Sequence, residues 1–252
     1  MKIKISEVYV KEKSEIENLI LNFTKKGEIL IEGNRNSIRT FNLNGQKINI
    51  KSFKVPNLVN KIAYRFFRKS KAERSYNYAE HLISRNIGTP FPIAYAEKKN
   101  TLTFGESYYL SEQLPYDLTY RELVTQPDFP EHEQILSAFT RFTFDLHEKQ
   151  IHFLDHSPGN TLIQRNNGDY KFFLVDLNRM DFKSLNFEER MKNFSRLTPK
   201  KEMVEIMASE YARLINKPHE EVFQKMWYFT EEFQKKFRRK QAFKRKIKVW
   251  NR

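Results

Sequence analysis

The chain of 252 residues contains no cysteine, so it has no disulfide framework, no thiolate metal site and no cysteine nucleophile. It also lacks any run of about eighteen uninterrupted apolar residues, which is the length that a membrane span needs. Residues 1–20 alternate charged and apolar side chains and contain no apolar stretch typical of a signal peptide. We therefore expect a protein of the cytoplasm.

Charge is abundant and unevenly distributed. The formal net charge is +14, yet residues 233–252 alone carry ten Lys or Arg and no acid. The other 232 residues hold 35 bases and 31 acids, so the body of the protein is nearly neutral and the tail is cationic. This pattern indicates a partner with phosphate groups: a nucleic acid, an anionic lipid or a phosphorylated substrate.

The pattern of elements predicts an α+β protein. Residues 27–54 are typical of a three-stranded meander with a tight turn at Asn44-Gly45, and residues 69–86 of a helix. Residues 91–114 predict two further strands around a turn at Asn100. We expect these elements to form a small five-stranded antiparallel lobe with one helix, within residues 1–113.

The remaining residues, 114–252, predict a mainly helical lobe that ends in the basic tail. Residues 131–150 have the apolar spacing of a long helix. The segments TLIQ and YKFFLVDL form a predicted hairpin joined through Asn167-Gly168, and residues from about 187 onward are mostly helical. With 252 residues the chain is long enough for two small lobes, each with a core.

The stretch HFLDHSPGNTLIQRNNGDYKFFLVDLNR, residues 152–179, contains the polar residues most typical of chemistry. Asp155 and Asn160 occupy a loop before the predicted hairpin, and Asp176 follows its second strand. A carboxylate can accept a proton from an attacking hydroxyl, and amide and carboxylate oxygens are ligands that Mg²⁺ prefers. These residue types fit phosphoryl transfer.

The order D-x-x-x-x-N, hydrophobic hairpin, Asp resembles the catalytic and metal-binding loops of the protein-kinase-like fold. The sequence LDHSPGNTLI, followed by LVDLNRM, is similar to the corresponding segments of the lipopolysaccharide kinase (Kdo/WaaP) family, whose members phosphorylate inner-core sugars. The resemblance implies a two-lobed kinase-like fold, ATP and Mg²⁺ as cofactors, Asp155 as catalytic base, Asn160 as metal ligand and Asp176 as the main Mg²⁺ ligand.

The upstream sequence extends the resemblance. The segment INIK implies Lys51 as the phosphate-binding lysine, and Glu73 in the first predicted helix as its partner. Lys54 and Glu80 are the alternatives, although residues three apart on a strand point to opposite faces, so only one lysine can face the cleft. Gly33, in the loop EGNRNSIRTF, is the implied phosphate-loop glycine, aided by Arg35 or Asn36.

Three positions depart from the pattern of protein kinases. The H-R-D tripeptide is Phe153-Leu154-Asp155, which leaves His152 as a displaced histidine, and D-F-G is Asp176-Leu177-Asn178, without the glycine hinge. The phosphate loop has one glycine rather than three. We interpret His152 and His156 as loop and packing residues, and expect a site that is not regulated by the motions of protein kinases.

The basic tail predicts a helix with one apolar face. As a helix, its large apolar residues fall within about 140° of the circumference; they are Phe233, Phe237, Phe243, Ile247 and Trp250. This arrangement fits a helix on an anionic membrane surface and fits equally a helix packed on its own lobe. The tail has no recognised nucleic-acid reader motif, so no specific nucleic acid is expected.

The resemblance implies an ATP-dependent kinase that phosphorylates a Kdo or heptose hydroxyl on a lipopolysaccharide inner-core or lipid A precursor acceptor. We expect it at the inner face of the cytoplasmic membrane, as a peripheral protein. Two alternatives stay open: a kinase-fold phosphotransferase for another small molecule or a protein, and a non-catalytic pseudokinase that only binds its partner.

Overall fold

The computed structural model describes residues 1–33, 36–55, 69–99, 104–166 and 168–250. The chain forms two compact units: the first comprises Met1–Pro115 and Leu174–Arg179, and the second comprises Tyr116–Phe173 and Met180–Arg252. The sequence had indicated one boundary, between residues 113 and 114. The segment Leu174–Arg179, which carries Asp176, therefore lies in the first unit although it follows Tyr116–Phe173 of the second unit in the sequence.

An antiparallel sheet forms the centre of the first unit. Its strands are β1 (Lys2–Ile5), β2 (Glu28–Glu32), β3 (Asn36–Leu43), β4 (Gln46–Phe53), β5 (Pro92–Lys99) and β6 (Phe104–Glu112), in the order β1-β5-β6-β4-β3-β2. The sheet thus has six strands rather than the predicted five. The sixth is β1, a four-residue strand that is stabilised by pairing with the distant β5, from Lys2 opposite Glu97 to Ile5 opposite Ala94.

A helix packs on each face of this sheet: α1 (Lys13–Leu21), preceded by a 3₁₀ turn over Glu7–Glu12, and α2 (Lys71–Ser84). Ile48 and Ile50 of β4 share the buried cluster of α1. Phe53 shares the cluster of α2 with Ala72 and Tyr76. Because side chains alternate along a strand, Lys51 projects from β4 on the same face as Phe53, toward α2.

Two local predictions in this unit are confirmed. Asn44 and Gly45 both have positive φ, 51° and 87°, as the tight turn between β3 and β4 requires. The predicted helix within 69–86 is α2, and it begins where the Ser70 hydroxyl accepts a hydrogen bond from the backbone N–H of Glu73. The turn predicted at Asn100 lies outside the described residues.

The second unit is mainly helical, as predicted. Its helices are α3 (Tyr120–Thr125), α4 (His132–Glu148), α5 (Phe187–Asn193), α6 (Lys201–Ile215) and α7 (His219–Trp250). Its strands are β7 (Leu118–Thr119), β8 (Ile151–Phe153), β9 (Thr161–Asn166), β10 (Asp169–Leu174) and β11 (Met180–Phe182). The long helix within 131–150 and the hairpin strands β9 and β10 are confirmed, whereas Asn167 in the hairpin turn is outside the described residues.

The core of the second unit lies between α4, α6 and the start of α7, with Phe139, Met207 and Val222 fully buried. Farther along α7 the burial ends, because all described side chains from Lys235 onward are exposed. No helix in the described part of the chain is long and apolar enough to cross a bilayer.

Candidate active site

In the first unit, Lys51 and Asp176 form an ion pair. The Nζ atom of Lys51 lies 2.6 Å from Oδ1 of Asp176, and their side chains are 13% and 30% exposed. Lys51 Nζ is also 5.3 Å from the centre of the Phe53 ring, which lies on the same face of β4. Lys54, the alternative lysine, follows the end of the strand and is exposed. The structure therefore places Lys51 beside the candidate metal ligand.

Backbone contacts bring Asp176 to the sheet. The N–H of Leu174 donates to the carbonyl of Gly88 (2.9 Å), and the Thr89 hydroxyl donates to the carbonyl of Leu174 (2.8 Å). Asp176 itself has φ of 59°, in the left-handed region that few residues other than glycine adopt. The Asn178 amide donates to Asp176 Oδ1 at 2.7 Å. Both ion pair and amide use Oδ1, which leaves Oδ2 without a donor among the described residues.

Glu73 does not make the ion pair that the resemblance implied. Within the described residues, Lys51 forms an ion pair with Asp176 and none with Glu73. Glu73 lies in the first turn of α2, where its backbone N–H is capped by Ser70. The alternative, Glu80, pairs with Lys4 at 2.9 Å. A functional role for Glu73 stays a prediction.

The candidate phosphate loop joins β2 to β3. The N–H of Gly33 donates to the carbonyl of Asn36 at 3.1 Å, so this backbone donor already has an acceptor within the protein. A Cβ at Gly33 would stand 3.2 Å from the same carbonyl oxygen. Arg35 lies outside the described residues. Binding of phosphate by Gly33 therefore stays a prediction, and it would need a group other than this N–H or a rearranged turn.

Lys71 is a residue near Asp176 that sequence reasoning missed. Burial lowers the pKa of Lys71, Asp176 raises it, and the nearby cations Arg74, Lys51 and Arg179 lower it further. The side chain is half-buried at the start of α2. More cations than carboxylates therefore act on Lys71, and this excess of positive charge suits a polyanion such as a triphosphate. Only the tertiary fold brings Lys71 near Asp176, because residues two apart on a helix, such as Lys71 and Glu73, do not share a face.

In the second unit, Asp155 and Asn160 belong to one closed loop after β8. The Asn160 amide nitrogen donates to the backbone carbonyl of Asp155 at 2.8 Å, and the Asn160 N–H donates to the carbonyl of Ser157 at 2.9 Å. Since the amide nitrogen makes the contact within the loop, the amide oxygen of Asn160 is the atom left to bind a ligand. That orientation fits the role of metal ligand implied for it.

Two arginines contact this loop, and sequence reasoning identified neither. Arg196 pairs with Asp155, with Nη1 2.6 Å from Oδ1. Arg121, at the start of α3, lies over Gly159: a Cβ at Gly159 would stand 2.7 Å from Arg121 Nη2. Both arginines are distant from the loop in sequence, and only the fold brings them to it.

A chain of hydrogen bonds supports the strand that precedes Asp155. His147 on α4 accepts from the Tyr211 hydroxyl through Nδ1 (2.8 Å) and donates through Nε2 to the Asn193 amide oxygen (3.1 Å). The Asn193 amide nitrogen then donates to the carbonyl of Phe153 at 2.8 Å. The proton of His147 lies on Nε2, because the Asn193 amide oxygen can only accept a hydrogen bond. The chain fixes the end of β8 to α4, α5 and α6.

His156 is a packing residue, as predicted. It is 1% exposed and lies between the rings of Phe139 and Phe153, with centroids 5.2 and 5.7 Å away. Burial lowers the pKa of His156, and likewise that of His147, from 6.5 to about 3. Both rings are therefore neutral at neutral pH.

These two histidines predict a loss of stability in acid. The unfolded chain binds protons near pH 6.5 whereas the folded chain does so only near pH 3, so the free energy of unfolding falls as pH drops through this window. Each histidine accounts for about 1.4 kcal/mol per pH unit within it. We expect His156→Leu to reduce the slope of melting temperature against pH between these limits. The control is His219→Gln, an exposed histidine, which should retain the wild-type slope.

Comparison with known proteins identifies the family and the fold of this chain. The model of the lipopolysaccharide kinase (Kdo/WaaP) family matches residues 23–217, a range that contains every candidate site residue. No curated protein matches the sequence. The solved structure "WaaP in complex with acyl carrier protein" is similar with a TM-score of 0.65 and 13% identity, over 94% of this chain and 98% of that one. At this identity the likeness shows the fold alone, and it confirms the predicted protein-kinase-like α+β fold. Because the family match spans most of the sequence, the chain belongs to the Kdo/WaaP family of lipopolysaccharide kinases and is an ATP-dependent phosphotransferase.

Proposed function

We propose that this kinase transfers the γ-phosphate of ATP to a Kdo or heptose hydroxyl in the inner core of lipopolysaccharide or of a lipid A precursor. The observation that carries the proposal is the ion pair of Lys51 with Asp176, which joins residues 125 positions apart in the sequence. A lysine and a carboxylate on one side of a sheet are two of the parts that phosphoryl transfer from ATP requires.

The first unit contributes the groups for ATP. Lys51 would contact the phosphates, and the excess of cations around Lys71 would stabilise their negative charge. Within the described ranges no group donates to Oδ2 of Asp176 or to the amide oxygen of Asn160, so each residue fits the role of Mg²⁺ ligand. Magnesium, when bound, would neutralise charge on the phosphates.

The second unit contributes the group for the acceptor. Oδ1 of Asp155 is bonded to Arg196, and no described residue donates to Oδ2. We assign Oδ2 as the atom that orients the sugar hydroxyl and accepts its proton. A carboxylate suffices for this step, because the loose transition state of phosphoryl transfer needs little deprotonation of the nucleophile until bond formation is advanced.

The test is phosphorylation of a panel of acceptors with ATP and Mg²⁺. The panel contains a Kdo-bearing lipid A precursor, its heptosylated form, the delipidated sugar and an unrelated protein. We expect phosphate on an inner-core sugar, located by mass spectrometry of the fragments. Phosphorylation of the unrelated protein alone, or of no member of the panel, would contradict the proposal and favour a kinase for another substrate.

Arg121 supports an anionic acceptor. Its guanidinium lies against Gly159 in the loop of Asp155, it is exposed, and within the described residues it makes no ion pair. Inner-core sugars carry carboxylate or phosphate groups, which a planar guanidinium binds through two parallel hydrogen bonds. We propose that Arg121 binds such a group on the acceptor.

Arg121→Gln is therefore expected to raise KM for the acceptor by about tenfold, the value of one charge-assisted hydrogen bond, without changing KM for ATP. Initial rates at varied acceptor and at varied ATP measure the two constants. Arg213→Gln is the matched control, because Arg213 is an exposed arginine of the same unit that pairs with Glu210. An unchanged KM for the acceptor in Arg121→Gln would remove Arg121 from the binding site.

The end of α7 supports contact with an anionic membrane. Phe233 is partly buried, but Phe237 and Phe243 are 48% and 65% exposed, so the described tail beyond Phe233 does not pack on its own unit. The cations of this segment are exposed as well; they are Lys235, Lys236, Arg238, Arg239, Lys240, Lys244 and Arg245. Each adds about 1 kcal/mol of attraction to an anionic surface. We propose that the exposed segment of α7, from Lys235 onward, binds the inner face of the cytoplasmic membrane.

Deletion of residues 235–252 tests this contact while keeping Phe233. We expect the full chain to co-sediment with vesicles that contain anionic phospholipid, less so at higher salt, and the truncated chain to remain in solution. Activity on the delipidated sugar and the melting temperature should stay near wild type. Unchanged sedimentation together with a large fall in melting temperature would reject the membrane contact and show that the tail packs on the protein.

The structural neighbour suggests an alternative partner for the basic helix. WaaP was solved in complex with acyl carrier protein, and a protein partner is the second candidate for a cationic helix. Co-elution of acyl carrier protein with the full chain but not with the truncated chain, in the absence of vesicle binding, would favour that partner.

A further inference from the structure

Arg196 makes the closest contact to the candidate catalytic base. It follows α5, and its Nη1 atom donates both to Oδ1 of Asp155 (2.6 Å) and to the backbone carbonyl of Leu154 (3.1 Å). One nitrogen thus bridges the side chain of Asp155 and the peptide that precedes it. A bridge of this kind restricts rotation of the carboxylate relative to its own backbone.

We propose that Arg196 is a positioning residue that fixes the Asp155 carboxylate so that Oδ2 points to the acceptor hydroxyl. This inference rests on the proposed role of Asp155 as base. A hydroxyl must lie within about 3 Å of the group that accepts its proton, and displacement of a reacting group by about 1 Å can cost a hundredfold in rate. Restricting the carboxylate to one rotamer prevents that displacement.

The terminal helix α7 contacts Arg196. The guanidinium carbon of Arg196 lies 5.7 Å from the centre of the Phe233 ring on α7, a cation–π distance. Phe233 also stacks on Phe237, with ring centroids 6.2 Å apart. A continuous set of contacts therefore joins α7, at the start of its exposed basic segment, to Asp155.

Closure of the loop does not require Arg196. Asn160 already closes the loop through the Asp155 carbonyl. The side chains of Arg196 and Asp155 are 35% and 20% exposed, so the pair is partly buried, and its contribution to folding is separated from its effect on kcat by a thermal melt of each variant. The contact of Arg196 is with the reacting carboxylate itself.

The experiment compares Arg196→Met and Arg196→Lys under saturating ATP and acceptor. We expect Arg196→Met to lower kcat by about thirtyfold to a hundredfold, with KM for ATP and for the acceptor changed by less than about threefold. Arg196→Lys keeps a charge but not the planar guanidinium, so it should recover part of the lost kcat. Phe233→Ala should lower kcat by about twofold to fivefold, through loss of the cation–π contact.

Arg165→Met is the matched control. Arg165 also pairs with a carboxylate, Glu131, at 2.7 Å, and also lies 5.7 Å from the centre of an aromatic ring, that of Phe129, but it contacts no candidate catalytic group. It should retain wild-type kcat at temperatures below its melting transition. A loss of kcat in Arg165→Met equal to that in Arg196→Met would assign both effects to general loosening of the unit and overturn the proposal.

Two further outcomes decide the remaining alternatives. If Arg196→Met and Arg196→Lys retain kcat within about threefold of wild type, or raise only KM for the acceptor, Arg196 does not position the base. Asp155→Asn separates this result from failure of the proposed function. An inactive Asp155→Asn beside an active Arg196→Met refutes the role of Arg196 alone, whereas a fully active Asp155→Asn refutes the assignment of the base.

Discussion

Asp176→Asn should lower kcat by about a thousandfold or more and leave the protein folded. The substitution removes the negative charge expected to bind Mg²⁺, and with it the stabilisation of charge that develops on the transferred phosphate. Asparagine is the right replacement because Asp176 has φ of 59°, a conformation that asparagine adopts more readily than most residues. Its amide oxygen can still accept from Lys51 and from Asn178, so the local contacts persist.

The measurement is kcat for inner-core acceptor phosphorylation at saturating ATP and Mg²⁺, beside a thermal melt of the same preparation. Asp181→Asn is the control, since Asp181 is an exposed aspartate on β11 that faces His152 across the β8–β11 pair. It should retain wild-type turnover. Turnover of Asp176→Asn within about threefold of wild type would end the assignment of Asp176 as metal ligand.

Lys51→Met should lower kcat/KM for ATP by about a hundredfold or more, whereas Lys54→Met should change it by less than about twofold. Lys51 is 13% exposed and contacts Asp176, so its loss removes a phosphate ligand and leaves a partly buried carboxylate without its cation. Lys54 is exposed beyond the end of β4. The two variants are matched in chemistry and lie three residues apart, which makes the pair its own control.

Initial rates at varied ATP, with both variants checked for wild-type melting behaviour, give the two values. Equal losses in Lys51→Met and Lys54→Met would show that the segment after β4, rather than one lysine, binds ATP. A loss in Lys54→Met alone would overturn the assignment of Lys51 and reverse the face of β4 that is directed toward the phosphates.

Features that depend on neighbouring residues were predictable from the sequence. The turn at Asn44-Gly45 needs two residues that tolerate positive φ, and the sequence places them between two alternating strands. Helix α2 needs a capping hydroxyl, and Ser70 supplies it. Strand alternation indicated that only one of Lys51 and Lys54 can face the cleft, and in the structure Lys51 lies beside Asp176 whereas Lys54 is exposed beyond the strand. Each of these rests on spacing within a few residues.

Features that depend on distant residues were not predictable in this way. β1 is only four residues long and exists because β5 pairs with it. The partner of Lys51 is Asp176 rather than Glu73, a choice that the route of the chain after β10 decides. Arg196 contacts Asp155 although the two residues are 41 positions apart, and no helical or strand periodicity predicts that contact. In each case tertiary contacts, not local preference, determine the outcome.

The placement of Leu174–Arg179 in the first unit has a consequence for biosynthesis. A ribosome that adds roughly 5 to 20 residues per second needs roughly 6 to 25 s to pass from Lys51 to Asp176, which are 125 positions apart. During that interval the nascent sheet has neither the acceptor for the buried Thr89 hydroxyl nor the partner of Lys51. The amino-terminal unit therefore reaches its final form only after Tyr116–Phe173 of the other unit has been synthesised, and a fragment that stops at Pro115 would lack these contacts however long it is incubated.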